Sequence, residues 1–326
     1  MKKIIATLLL LVMSIAAFAS CGSNAKIRIG YMAGPTGMGM AKLIHDNGGI
    51  EGNENYSFTQ YTDTTAAKAS LTAGKVDVIC LPTNEAAAYY KEDNNIVVLA
   101  VNCLNSLYLL SDKNSDVSSL AELEGKTVYT CKNGTPKMIL DYIIAELQLD
   151  ITVSTTTPDG TKEIVTPDDL QNQIVTVGDL PYVVMPEPKI TASLAAIRNA
   201  NKPEISYSVD IDLTDEWEKI SDTPVTMGCI VASSKFVSEN RRAIKRFLDE
   251  YEDSVEFIGD NENRETAAKY VAETKIMGAE ALALAALNNL DDAIDYIDGD
   301  DMKRALKAFY DAIGIAQPAD GFYYNN

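Results

Sequence analysis

Short runs rich in β-branched and aromatic residues alternate along this chain with longer amphipathic stretches. Lys26–Met32, Tyr56–Thr62, Val76–Leu81 and Ile96–Asn102 read as strands, with helices predicted over Gly37–Asp46, Thr64–Ala73 and Asn84–Glu92 between them. The same grammar resumes near residue 106. Leu107–Ser111 is extended, Leu120–Leu123 is a helical turn, and Lys126–Cys131, Tyr182–Met185 and Ile205–Ile211 are strands. Helices are predicted from a Thr135 cap with Pro136 in first position to Leu149, over Pro167–Ile174 and over Lys189–Asn199. The Thr-rich tract Ile151–Val165 reads as a hairpin or a surface excursion. After a last strand at Met227–Ala232, four helices follow: Ser238–Ile258 with Ser238 as N-cap, Arg264–Ala272, Ala279–Leu290, and Asp301–Ile313 closed by Gly314. Strands alternating with helices imply an α/β chain built on parallel sheet with covered faces.

Residues 1–20 form a secretory signal: Lys2 and Lys3, an apolar run from Ile4 to Ala17, then Phe18-Ala19-Ser20 before Cys21. The run falls short of the roughly 20 residues that a spanning helix needs. A Cys directly after small residues resembles the bacterial lipobox, so Cys21 is the expected lipidation site, with 21–25 as a linker. The competing reading is plain signal cleavage that leaves Cys21 unmodified. Several acyl chains on one residue give the anchoring that a single chain cannot. The chain is therefore expected outside the cytoplasm, lipid-anchored to the cell membrane.

Of 326 residues, 28 are basic and 47 acidic. Loss of Lys2 and Lys3 with the signal leaves 26 against 47, a formal −21, which repels phosphate backbones and argues against a nucleic-acid partner. Cys80, Cys103, Cys131 and Cys229 lie in or just past apolar strand-like runs, without CxxC or Cys/His spacing. No metal site is expected, and buried free thiols are favoured over disulfides. The sole histidine, His45, lies at a helix end with no nucleophile beside it in sequence. Glu124-Gly125-Lys126-Thr127 imitates the tail of a phosphate loop, but Leu120 stands where that motif needs Gly, and a strand follows. The Asp-rich stretch Asp291–Asp301 fails calcium-loop spacing. An enzyme is not expected, and no cofactor is implied.

The informative echo lies between two strand–helix openings. Gly34-Pro35-Thr36-Gly37 follows the first strand, and Asn133-Gly134-Thr135-Pro136 follows Lys126–Cys131. Small residues let a ligand approach backbone there, and helix starts offer unpaired N–H groups. Each could be a plain turn; as a pair they suggest the two walls of a cleft. Other strand ends add Thr83 and Asn84, Asn102 to Ser106, and Glu187, which could pair an amine or simply cap a turn. Tyr31, Tyr61, Tyr108 and Trp217 stand near such ends, with core packing the commoner use of each. All seven arginines fall outside these loops, so a guanidinium-gripped anion is not favoured, though helix N-termini alone could hold a sulfonate.

GPTGMGMAKL (34–43), GKVDVICLPTN (74–84), LNSLYLLSD (104–112), LAELEGKTVY (120–129), NGTPKMILDYII (133–144), MPEPKIT (185–191), LTDEWEKI (213–220) and the FYY ending (322–324) come in a telling order. Together they resemble the substrate-binding lipoproteins of ABC importers, in the nitrate/sulfonate/taurine and thiamine-precursor branch. The likeness spans nearly the whole mature chain. It implies a hinged two-lobe α/β fold of the type 2 periplasmic-binding-protein class, each lobe a mixed, mostly parallel sheet flanked by helices, with 26–105 and 228–326 in lobe 1 and 106–227 in lobe 2. It implies that a monomer captures a small organic solute, sulfonate-, pyrimidine- or vitamin-precursor-like, between the lobes and hands it to permease subunits. Transferred by position, the ligand-binding set is Gly34, Thr36, Gly37, Met38, Thr83, Asn84, Asn102, Asn105, Asn133, Thr135 and Glu187. The asparagines both donate and accept, which suits a neutral heteroaromatic or amide-bearing solute. The alternative is a sensor of the same fold feeding a signalling receptor.

Overall fold

The computed structural model describes residues 25–200, 202–290 and 292–325. The signal and Cys21 lie outside these residues. In chain order the elements are β1 (Ile27–Met32), α1 (Pro35–Met38), α2 (Ala41–Asp46), β2 (Tyr56–Tyr61), α3 (Thr64–Thr72), β3 (Val78–Pro82), α4 (Thr83–Glu92) and β4 (Ile96–Cys103). Next come β5 (Leu107–Asp112), β6 (Thr127–Tyr129), α5 (Thr135–Glu146), β7 (Thr152–Ser154), α6 (Pro167–Thr176), β8 (Tyr182–Pro186), α7 (Lys189–Asn199), β9 (Tyr207–Asp212) and α8 (Leu213–Trp217). The chain finishes with β10 (Gly228–Ser233), α9 (Ser234–Glu239), α10 (Arg241–Gly259), α11 (Arg264–Glu273), α12 (Glu280–Asn289) and α13 (Gly299–Ala312).

Two five-stranded sheets share one plan, ordered β2-β1-β3-β10-β4 and β7-β6-β8-β5-β9. β1 pairs parallel with β2 and β3, while β10 runs antiparallel between β3 and β4. β6 pairs parallel with β7 and β8, while β5 runs antiparallel between β8 and β9. In each sheet four strands point one way and the fifth, which follows a passage from the other sheet, points back. Every residue of β4 is buried, as a strand covered on both faces requires.

Where the observed elements depart from the pattern, side chains from elsewhere explain it. The helix predicted over 37–46 is broken at Gly39-Met40, because Ser254 of α10 donates its hydroxyl to the Gly39 carbonyl at 2.7 Å and accepts the Leu43 N–H at 3.0 Å. The helix predicted from Ser238 is two helices. Ser233 caps the first, and Asn240 ends it by turning its amide onto the Phe236 carbonyl. Gly134, not Thr135, holds the N-cap position of α5, with Thr135 first in the helix. Part of the Thr-rich tract joins the sheet as β7, and Thr156 bridges to Glu163 across the turn that follows.

One apolar core joins both sheets. Trp217 of α8 lies 5.2 Å from the Tyr142 ring and 5.9 Å from Phe309 on α13, so the end of the second sheet's chain is packed onto a helix of the first. The segments passing between the sheets run side by side there. The Met227 N–H donates to the Cys103 carbonyl at 2.9 Å, and the Val225 N–H to Asn105 Oδ1 at 3.0 Å.

Candidate functional site

The carboxyl ends of β1, β3 and β4 meet the start of β10. Gly34, at φ 151°, turns the chain out of β1 into α1, and Gly134, at φ 93°, does the same after β6 into α5. Both positions need a residue without a Cβ. Thr36 on α1 is held from below: Asn102 donates Nδ2 to its carbonyl at 2.8 Å and to the Tyr251 hydroxyl at 2.6 Å. Because a carbonyl only accepts, this fixes the amide orientation and leaves Asn102 Oδ1 without a hydrogen-bond partner. Thr83 donates its hydroxyl to the Thr226 carbonyl at 2.5 Å and its N–H to the Met227 carbonyl at 3.1 Å; its own carbonyl accepts from Tyr310. Asn84 Oδ1 and Thr226 Oγ1 are likewise buried without partners. Thr135 of α5 reaches in from the second sheet, its hydroxyl 3.6 Å from Met227 Sδ.

The sequence-selected residues therefore fall into several groups. Thr36, Thr83, Asn102 and Thr135 lie around the Thr226–Gly228 segment, with Asn84 next along α4. Gly37 and Met38 are buried beneath that floor; a Cβ on Gly37 would lie 2.0 Å from the Met32 carbonyl. Asn133 is exposed on its loop. Asn105 turns to the hinge: it holds Val225 and lines a separate cavity of about 430 Å³ with Trp217, Ser221, Thr223 and Pro224. Glu187, 1% exposed beside a cis Pro188, is already engaged. Its carboxylate accepts the Thr191 N–H at 3.2 Å, the Thr191 hydroxyl at 3.0 Å and Asn289 Nδ2 at 2.6 Å.

Burial pushes the Glu187 carboxyl above its ordinary value, and the donors from Asn289 and Thr191 pull it partly back. Basic side chains near the loops are paired: Lys132 with Glu163, Lys137 with Asp141 and Lys189 with Asp168. His45 stacks on Tyr270 at 3.8 Å and bonds Glu273 at 2.7 Å on the outer surface. Tyr31, Tyr108 and Trp217 are core residues, and the four cysteines are buried and free. No group of His, Cys, Asp or Glu among the described residues could hold a metal ion. Sequence reasoning missed Thr226, Gly228, Tyr251, Thr191 and Asn289. Only Thr226 and Gly228 carried a signal, as small residues where the chain re-enters the first sheet.

No curated protein matches the chain by sequence. A family model described as menaquinone biosynthesis matches residues 192–314. Among solved structures, an ABC transporter protein from Parabacteroides distasonis is 18% identical, covering 92% of this chain and 99% of its own, with a TM-score of 0.70. The periplasmic aliphatic sulphonate-binding protein SsuA of Escherichia coli is 17% identical, covering 92% of each chain, with a TM-score of 0.66. The alkanesulfonate-binding protein SsuA of Xanthomonas axonopodis pv. citri, bound to MOPS, is 14% identical over 90% of this chain and 95% of its own, with a TM-score of 0.63. At such identities the common property is architecture. Its paired sheets, each with one reversed strand, give this chain the two-lobe fold of the periplasmic binding proteins of ABC importers.

Proposed function

We propose that this protein is the solute-binding component of an ABC importer, exported by residues 1–20 and held at the membrane by a lipidated Cys21. Its lobes are 26–105 with 228–326, and 106–227. A small organic solute enters between them, and closure around it creates the joint surface that permease subunits read. The observation that carries this reading is the convergence of Thr36, Thr83, Asn102 and Thr135 from both sheets on the segment linking them.

The polar atoms left over there favour an uncharged, hydrogen-bond-donating solute over the sulphonates of the structural relatives. Asn102 Oδ1 is a fixed acceptor, and Asn84 Oδ1 and Thr226 Oγ1 add further lone pairs. The lysines near the loops are each neutralised by a carboxylate. A catalytic role for Glu187 is disfavoured, because both its oxygens already accept protein donors.

Native mass spectrometry of the soluble chain beginning at Gly22 is expected to find a co-purified neutral molecule. Adding that compound at a hundredfold excess over Kd should stabilise the protein by about 2.7 kcal/mol. No bound molecule, together with no melting shift across pyrimidines, vitamin precursors, sulfonates and amino-acid derivatives, would remove the transport reading.

A further inference from the structure

The lobes also touch where α12 of the first meets α7 of the second. α12 is fixed in lobe 1 by Ala283, Ala286 and Leu287, and α7 in lobe 2 by Ile190 and Ile197. At the end of α12, Asn289 Nδ2 donates to Glu187 Oε1 at 2.6 Å and to Thr191 Oγ1 at 3.3 Å. The Asn289 carbonyl accepts from the Tyr108 hydroxyl. A single residue of one lobe is thus gripped at both its side chain and its backbone by the other. We propose that Asn289 is a positioning residue for solute capture, a clasp that closes the lobes through Glu187 and Tyr108 without touching the solute. This deepens the solute-binding reading and rests on its two lobes.

Three observations support the assignment. First, the acceptor is a carboxylate, and hydrogen bonds to charged groups are worth more than neutral ones. Second, Thr191 sits on the same lobe as Glu187 and stays bonded to it whether or not the lobes are apart. Opening therefore costs Glu187 only the Asn289 donor. Third, Asn289 itself is exposed, so water replaces its partner on opening and the clasp is reversible. Closure then has a protein–protein contribution that exists before any solute arrives, and it raises apparent affinity by raising the competent population. Glu187 leaves the set of solute contacts and becomes part of the closing device.

Spin labels on cysteines at Val177, which is 54% exposed in lobe 2, and at Asp253, exposed on α10 of lobe 1, read the lobe separation. The thiols of Cys80, Cys103, Cys131 and Cys229 are buried, and the labelled protein begins at Gly22. In dialysed, solute-free protein the wild type is expected to show a short-distance population beside the long one. Asn289→Ala should lower the ratio of short to long distances about tenfold, the scale of one hydrogen bond to a charged group. Asn289→Asp, which sets a carboxylate against Glu187, should lower it further, and Tyr108→Phe should lower it less. Asn288→Ala, one residue back on the same exposed turn, should change nothing. Far-UV circular dichroism confirms that each variant is folded. A wild type that is wholly open without solute, or an Asn289→Asp distribution equal to that of the wild type, overturns the clasp. Failure to find any solute would sink the transport role and leave this result standing.

Discussion

Gly228 opens β10 directly under Thr36, and the consequence of adding one methyl there can be worked through. An alanine Cβ would lie 2.0 Å from Thr36 Cγ2 and 3.0 Å from both Asn102 Oδ1 and Cys103 Cβ. Carbons in contact rest about 3.5–4.0 Å apart, so the first overlap is about 1.5 Å or more. Thr36 is β-branched and its carbonyl is tied to Asn102, so relief requires its side chain to rotate or α1 to lift. Overpacking of this kind costs about 1–3 kcal/mol. Urea unfolding followed by circular dichroism measures it for Gly228→Ala, Thr36→Ser and the double variant. Thr36→Ser deletes only Cγ2, so the double variant should regain at least about 1 kcal/mol of the loss, within the coupling range of touching residues. The remaining cost is the squeeze on Asn102 and Cys103. Additivity within about 0.5 kcal/mol would refute the argument, because it would mean that Thr36 does not occupy that space.

Trp217→Ala should cost about 3–5 kcal/mol in the same assay, since it empties the space against Tyr142 and Phe309 and removes the Nε1 donor from the Thr223 carbonyl, 2.7 Å away. A loss under about 1 kcal/mol would contradict the joint core. Cys80 and Cys103 have thiols pushed by burial up to about 12, Cys131 to about 11, and Cys229 still higher. Ellman's reagent should therefore find none of these four in folded protein at neutral pH and all four in guanidinium. Glu187 titrates above its ordinary 4.5, so folding favours its protonated form. Its contribution is complete below 4.5 and fades as pH rises through the elevated folded value. Between about pH 4 and about pH 7 the wild type should lose more stability than Glu187→Gln, and equal losses would show that burial does not govern this carboxyl.

Much of the architecture is legible in the chain because it depends on neighbours in sequence. Lys189–Asn199 matches α7 residue for residue, and Val76–Leu81 differs from β3 by two positions at the start and one at the end, since apolar periodicity reports which faces are buried. The glycine pair Gly34 and Gly134 is legible for the same reason: positive φ is a local demand. The break at Gly39-Met40 is not, because it depends on Ser254, more than 200 residues onward.

For the site, the sequence marked candidates only: mostly small or polar residues at the ends of strands, picked out by the paired strand–helix openings and by the family resemblance, without an arginine among them. What each group is committed to was decided only in three dimensions. Glu187 reads in sequence as an amine partner or a turn cap, and Asn105 as a solute contact; in the structure Glu187 accepts from Thr191 four residues on and from Asn289, 102 residues on, while Asn105 Oδ1 accepts the Val225 N–H of the returning segment. Conversely, Asn289 reads as an unremarkable end to an amphipathic helix. Its bond to Glu187 exists only because folding sets that helix end against a buried carboxylate 102 residues earlier in the chain. A donor's identity is written in its residue, but its acceptor is chosen by the packing of segments far apart in the chain.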